Sequence, residues 1–204
     1  MKLGYCVGGI NVDTTELIRL VVAKFSDGGA GWIPEHLMDM LHMKIGNILY
    51  LELEKRRDVK PPHIEDFEVR KLLQVDGIQH VAVRNWLEGH FPSHRIWSGG
   101  ISSLFDGCLV HTKRKAWLSE NQVSKNSVGF WRLPAPLTLS GNGEYYFFQD
   151  DSINGVFEIP FVGIIEPISL IEQGTLVRVS LARWWQQESG MARRCYLQIS
   201  GWYD

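Results

Sequence analysis

The stretch EVRKLLQVDGIQHVAVRNWLEGHF, residues 68–91, carries two short apolar patterns on either side of Asp76-Gly77. Val69, Leu72 and Leu73 recur at helical spacing before the glycine, and Val83, Trp86 and Leu87 after it. Glycine adopts positive φ without a Cβ penalty, so Gly77 suits a tight turn between two helices. The spacing predicts a helix ending over 68–73 and a second over 79–87, with Ile78 plugging the turn and Val83 and Trp86 buried. Gln79, His80, Arg84 and Asn85 then face outward, and all four types can donate hydrogen bonds to base edges or phosphates.

Working outward, the preceding residues also read as helical. DTTELIRLVVAKF has Asp13 and Glu16 spaced as a capping box, with Leu17, Leu20, Val21 and Phe25 as one stripe. SDGGAG at 26–31 stops that helix. Pro34 suits the first turn of the next, in which Leu37, Leu41, Ile45, Ile48 and Leu49 repeat. VKPPH at 59–63 ends it, and IEDFEVRKLL follows as a third.

After Pro92 the pattern changes. SGG at 98–100 interrupts the chain, and from about 104 the runs are short and rich in β-branched and aromatic residues. LTLS and EYYFFQ flank Gly141-Asn142-Gly143 as a hairpin. INGVFEIPFVGII, TLVRVSLARWW and RRCYLQISGWY read as three further strands, with Pro160 marking an edge or a bulge. The expectation is an α+β chain: a helical region over 1–97 with a helix-turn-helix at 68–89, then a mainly antiparallel β-rich domain over 98–204 that dimerises or binds a ligand or partner.

Composition bounds what such a chain does. Apolar residues make up 45% and charged residues 22%, which is globular rather than disordered. No run reaches the length of a membrane span, and the N-terminus has no signal-peptide pattern. Cys6, Cys108 and Cys195 are odd in number and far apart, with no zinc spacing. A cytoplasmic protein without metal or cofactor is expected. The net charge of −2 is unevenly spread: residues 69–132 hold 9 Lys/Arg and 4 Asp/Glu, a local +5, while the flanking thirds are acidic. Within that basic third, Lys113, Arg114 and Lys115 form a second candidate phosphate contact.

Residues 68–93 resemble the helix-turn-helix of the phage-repressor-like superfamily. The resemblance rests on Gly77, Ile78, Val83, Trp86-Leu87, Gly89 and the exit HFPS at 90–93. It implies a regulator of a phage or mobile element that binds double-stranded DNA through Gln79, His80, Arg84 and Asn85. Such a protein acts by occupancy without catalysis, as a homodimer reading two half-sites.

Other readings stay open. The helix pair is equally an ordinary corner whose helical half binds a protein partner. A metal-dependent nuclease needs clustered carboxylates, for which Asp106, Asp150, Asp151 and Glu158 are available. An NAD-processing enzyme draws on His111, Tyr145 and Glu172, in that order. Trp184-Trp185, with Trp131, Trp202 and Tyr203, offer a stacking platform for bases or sugars, or the core and rim of a small β-domain. Phosphate-loop, dinucleotide, nucleophile-elbow and HExxH motifs are absent from the sequence.

Overall fold

The computed structural model describes residues 5–22, 33–40, 43–57, 59–73, 79–186 and 188–204. They fall into two compact units, Met1–Pro92 and Ser93–Asp204. Strands dominate both, which overturns the α+β reading of a helical region followed by a sheet.

In the first unit the elements are β1 (Val7–Ile10), β2 (Leu17–Val21), α1 (Glu35–Met40), β3 (Asn47–Ile48), β4 (Leu51–Lys55), β5 (Asp66–Leu72), β6 (Gln79–His80) and α2 (Val83–His90). A four-stranded sheet runs β1-β2-β5-β4, with β2 and β5 parallel, and β3 pairs with β6. The expected helix at Asp13 is replaced by a β-hairpin. Asn11 Oδ1 accepts the N–H groups of Asp13 (2.9 Å) and Thr14 (3.0 Å), which turns the chain into β2. All five β2 residues are buried, because the strand lies inside the sheet with both faces covered. Such a strand shows a continuous apolar run rather than alternation. Residues 23–32, which hold Phe25 and SDGGAG, lie outside the described residues, as does Leu41.

The stretch at 68–73 is a strand as well. Phe67 and Val69 pack against the cluster of Ile18, Leu20, Ile33 and Met43, together with Leu51 and Leu53 of β4. On the other side, Arg70 bonds across to Glu54 at 2.9 Å and to Glu68 at 2.6 Å. Leu72 and Leu73, expected to pack a helix, are 39% and 41% exposed. Gln79 and His80, expected to open a recognition helix, pair in β6 with Ile48 and Asn47. Of the predicted helix pair only the second survives, as α2. Leu87 is its buried anchor, whereas Val83 and Trp86 are half-buried. Asp76, Gly77 and Ile78 lie outside the described residues. With the first helix gone there is no helix-turn-helix, and the argument for a dimeric regulator reading duplex DNA half-sites goes with it.

The second unit holds β7 (Ile96–Trp97), β8 (Leu109–His111), β9 (Ala116–Ser119), β10 (Val128–Arg132), β11 (Leu137–Leu139), β12 (Tyr145–Asp150), β13 (Gly155–Pro160), β14 (Leu170–Ile171), β15 (Leu176–Leu181) and β16 (Arg194–Tyr203). One sheet runs β7-β10-β15-β16-β9-β8, the other β13-β12-β11-β14. β10 pairs with β15, and β11, a few residues further on, pairs with β12. The end of β13 meets β16 through a parallel bridge at Phe161 and Ile199, where the Val162 N–H donates to the Ile199 carbonyl at 2.9 Å. Following the pairings β10/β11, β12, β13, β16, β15 and back to β10 closes a ring, so these strands form a small barrel. The expected hairpin around 141–143 joins β11 to β12, and Pro160 ends β13 at the edge of its sheet.

Alternation fills the barrel. Along β16 Cys195, Leu197 and Ile199 point inward and Arg194, Tyr196 and Gln198 outward. Trp131, fully buried, donates its indole N–H to the Gly99 carbonyl at 2.9 Å and meets Phe148 edge-on. Each fully buried large apolar side chain of this kind contributes about 1.5–3 kcal/mol. Among the described residues no helix is long and apolar enough to cross a membrane.

Candidate nucleic-acid interface

On the outer surface of the second unit, the segment between β15 and β16 carries two tryptophans and several cations. It is tightly held. Trp185 and Arg194 exchange two backbone hydrogen bonds, of 3.0 and 2.8 Å. Gln186 donates to the Met191 carbonyl at 2.6 Å. Arg193 ties the segment to Glu120, just beyond β9, with Nε donating at 2.8 Å. The Arg193 side chain, and then its backbone N–H, hold the Glu120 carboxyl below its usual value. Even so, Trp185 stays 50% exposed.

Its neighbours extend the surface. The Trp185 ring centroid lies 6.1 Å from that of Tyr196, which in turn lies 6.2 Å from Trp117. Register explains the row: Tyr196 pairs with Trp117, and Trp117 with the exposed Val110. The Arg194 guanidinium sits over Trp117 at 4.4 Å and reaches the Tyr196 hydroxyl at 3.3 Å. Arg193 lies 6.0 Å from the Trp184 ring centroid. The result is a surface row of Trp185 and Tyr196 with the Arg193 and Arg194 guanidinium groups, under which Trp117 is buried.

Only part of this strip follows from the pairing of Trp184 and Trp185 in sequence. Trp131, grouped with them there, is core. Trp202 packs on Phe161 and Tyr146, and Tyr203 faces Phe130. Trp117, Arg193, Arg194 and Tyr196 are the members the sequence reading missed. The available signal was RRCY opening a period-2 strand, which places Arg194 and Tyr196 on one face.

The expected DNA-contacting residues are divided between the two units. In the first unit His80 contacts Asn47 at 3.1 Å, Arg84 pairs with Glu88 at 3.4 Å, and Gln79 and Asn85 are exposed. Lys113, Arg114 and Lys115 belong to the second unit, on the turn between β8 and β9, where all three are exposed. His111 meets Phe157 edge-on, Tyr145 is 37% exposed at the start of β12, and Glu172 lies beyond β14. No hydrogen bond or ion pair links those three among the described residues. Of the carboxylates considered for a metal, Asp150 is buried and bonded to backbone, and Glu158 pairs with Arg114. Among the described residues no three His, Cys, Asp or Glu side chains cluster to hold a metal ion.

Comparison with known proteins agrees with the barrel. No curated relative and no solved structure matches the chain. The family described as the Dual OB-containing domain matches residues 1–202, and OB-folds are five-stranded, partly open barrels of the kind traced above. The chain belongs to the Dual OB-containing domain family.

Proposed function

We propose that this protein binds single-stranded nucleic acid without catalysis, through the strip formed by Trp185, Tyr196, Arg193 and Arg194, with the buried Trp117 supporting Arg194 from beneath. The observation that carries the proposal is the half-exposed Trp185 ring on a doubly bonded backbone bridge, beside Tyr196 and the Arg194 guanidinium. Bases stack on aromatic rings for about 1–3 kcal/mol each, and neighbouring cations neutralise the backbone. Only unpaired bases offer free faces to such rings, so the strip favours a single strand over a duplex. The segment between β15 and β16 joins the last two strands of the ring, and the corresponding loop takes part in oligonucleotide binding by OB-folds. A cytoplasmic setting belongs to the same proposal, in keeping with Cys6, Cys108 and Cys195 standing outside disulfides. The test is an anisotropy titration of one labelled oligonucleotide, single-stranded and annealed. Tighter binding of the single strand supports the proposal; equal or weaker binding overturns it.

A protein partner is the second reading, favoured by a different feature. Val162, Ile164, Ile168 and Leu170 are 48%, 52%, 40% and 41% exposed within one short segment leading into β14. Exposed apolar residues concentrated in this way are the usual material of a protein contact. Exchanging Ile164 and Leu170 for serine separates the readings, because it abolishes partner capture and leaves oligonucleotide binding intact.

A further inference from the structure

We propose that a second site, the cleft between the β8–β9 turn and β13, binds the phosphomonoester of a nucleotide together with its base. The cleft has a volume of about 420 Å³ and is lined by Lys113, Arg114, Phe147, Asn154, Gly155, Val156 and Glu158. That is the size of a small-ligand site and is too small for a duplex.

The turn that supplies the cations is fixed in place. Thr112 Oγ1 accepts the N–H groups of Arg114 (3.4 Å) and Lys115 (3.2 Å), and the Thr112 N–H donates to the Lys115 carbonyl at 2.9 Å. The turn is docked on β13, where the Glu158 N–H donates to the Arg114 carbonyl at 2.9 Å and the Glu158 carboxylate pairs with the Arg114 guanidinium. The turn lies against Gly155, where a Cβ would be 3.4 Å from the Lys113 carbonyl, an ordinary contact distance. Two cations, Lys113 and Arg114, line the cleft beside one carboxylate, Glu158; Arg114 pairs with it, and Lys113 is the lining cation outside that pair, while Asp151 in the next turn is held by Gln149 at 3.1 Å. Across the cleft, Phe147 stands opposite Glu158 in register, on the outer face of β12. It is half-buried and presents a ring to the opening. Fixed positive charge beside an aromatic ring suits a dianionic phosphate next to a base. Asn154, at φ 48°, adds an amide able to bond a base edge.

The same chemistry is found in a free nucleoside monophosphate and in the phosphorylated end of a single strand. For the strand end the inference rests on the single-strand reading above; for the free nucleotide it does not. The experiment titrates the full chain with adenosine monophosphate, adenosine, and a single-stranded ten-mer carrying a hydroxyl or a phosphate at each end. Adenosine monophosphate binding at least tenfold tighter than adenosine identifies a free-nucleotide site. A terminal phosphate tightening the ten-mer at least tenfold identifies a strand-end site. In either case Lys113→Ala and Phe147→Leu each remove most of the gain, and Trp185→Ala leaves the monophosphate unaffected. The leucine keeps apolar volume, and melting curves confirm that both variants fold. If phosphate adds nothing to either ligand, or neither variant changes the gain, the cleft is not such a site. Binding of the hydroxyl-ended ten-mer that still depends on Trp185 leaves the single-strand reading standing.

Discussion

The Asp150 carboxylate accepts the Ile101 N–H at 2.7 Å, with Gly100 pressed against it so closely that a Cβ there would lie 2.3 Å from Oδ2. Its other oxygen takes the Ser152 N–H at 3.1 Å and the Ser152 hydroxyl at 2.5 Å. This carboxylate anchors Ile101 and the turn that follows β12. Asp150→Ala leaves a buried N–H unpaired and is expected to cost about 1–3 kcal/mol. Gly100→Ala is expected to be destabilising too, through the clash. Urea unfolding of both variants checks this, and parental stability in either contradicts the anchoring role.

The first unit makes a similar prediction from a buried ion pair. Arg19 of β2 pairs with Asp66 of β5, and both side chains are about 5% exposed or less. Asp66→Ala takes away a buried charge partner of Arg19, which keeps its contact with His63 at 3.2 Å, and is expected to cost up to about 3–5 kcal/mol. Replacing the pair together, Arg19→Met with Asp66→Leu, is expected to recover most of that loss. A double variant as unstable as the single one would show that the charges are needed for more than each other.

What the sequence discloses divides along the same line. Strands with one wet face were readable: β16 alternates Cys195, Leu197 and Ile199 with polar neighbours, and the turn at 141–143 marks its hairpin. β2 was not, because LIRLV is buried on both faces, Arg19 included, and its apolar residues fit a helical stripe equally well. β5 misled through Leu72 and Leu73, which extend a helical pattern in sequence yet stand exposed, while Phe67 and Val69 carry the packing. The functional strip was half legible. Trp184 and Trp185 are adjacent in the chain, but Trp117 reaches them only through its pairing with Tyr196, and strand register is not written locally.

Two tyrosines predict behaviour in alkali. Burial raises the phenol of Tyr146 above its usual value, against the hydrogen bond that the Ile168 N–H donates to its oxygen, and burial likewise raises Tyr203, against the opposing charge of Arg178. A raised folded value means the protonated phenol favours the fold. That stability is complete below about pH 10, the unfolded value, and is lost as pH climbs through the raised ones. Denaturation followed from pH 8 to 12 is expected to show the fall, and Tyr146→Phe to reduce it. A flat profile contradicts the assignment.

Ionic strength separates charge from stacking. A cation contacting single-strand phosphate contributes about −0.7 to the slope of log affinity against log salt. Arg194→Ala is expected to flatten that slope by about this amount and to weaken strands of every sequence alike. An unchanged slope would place Arg194 away from the backbone.

The central claim is that Trp185 stacks on an unpaired base. The most direct measurement is the affinity of one single-stranded oligonucleotide for the parent and for Trp185→Ala at the same salt, with melting curves taken alongside. Loss of one stacking contact worth about 1–3 kcal/mol predicts binding weaker by roughly 5- to 150-fold. An exposed ring contributes little to the fold, so melting is expected to stay within a degree or two. Equal affinity for the two proteins, both folded, would contradict the account.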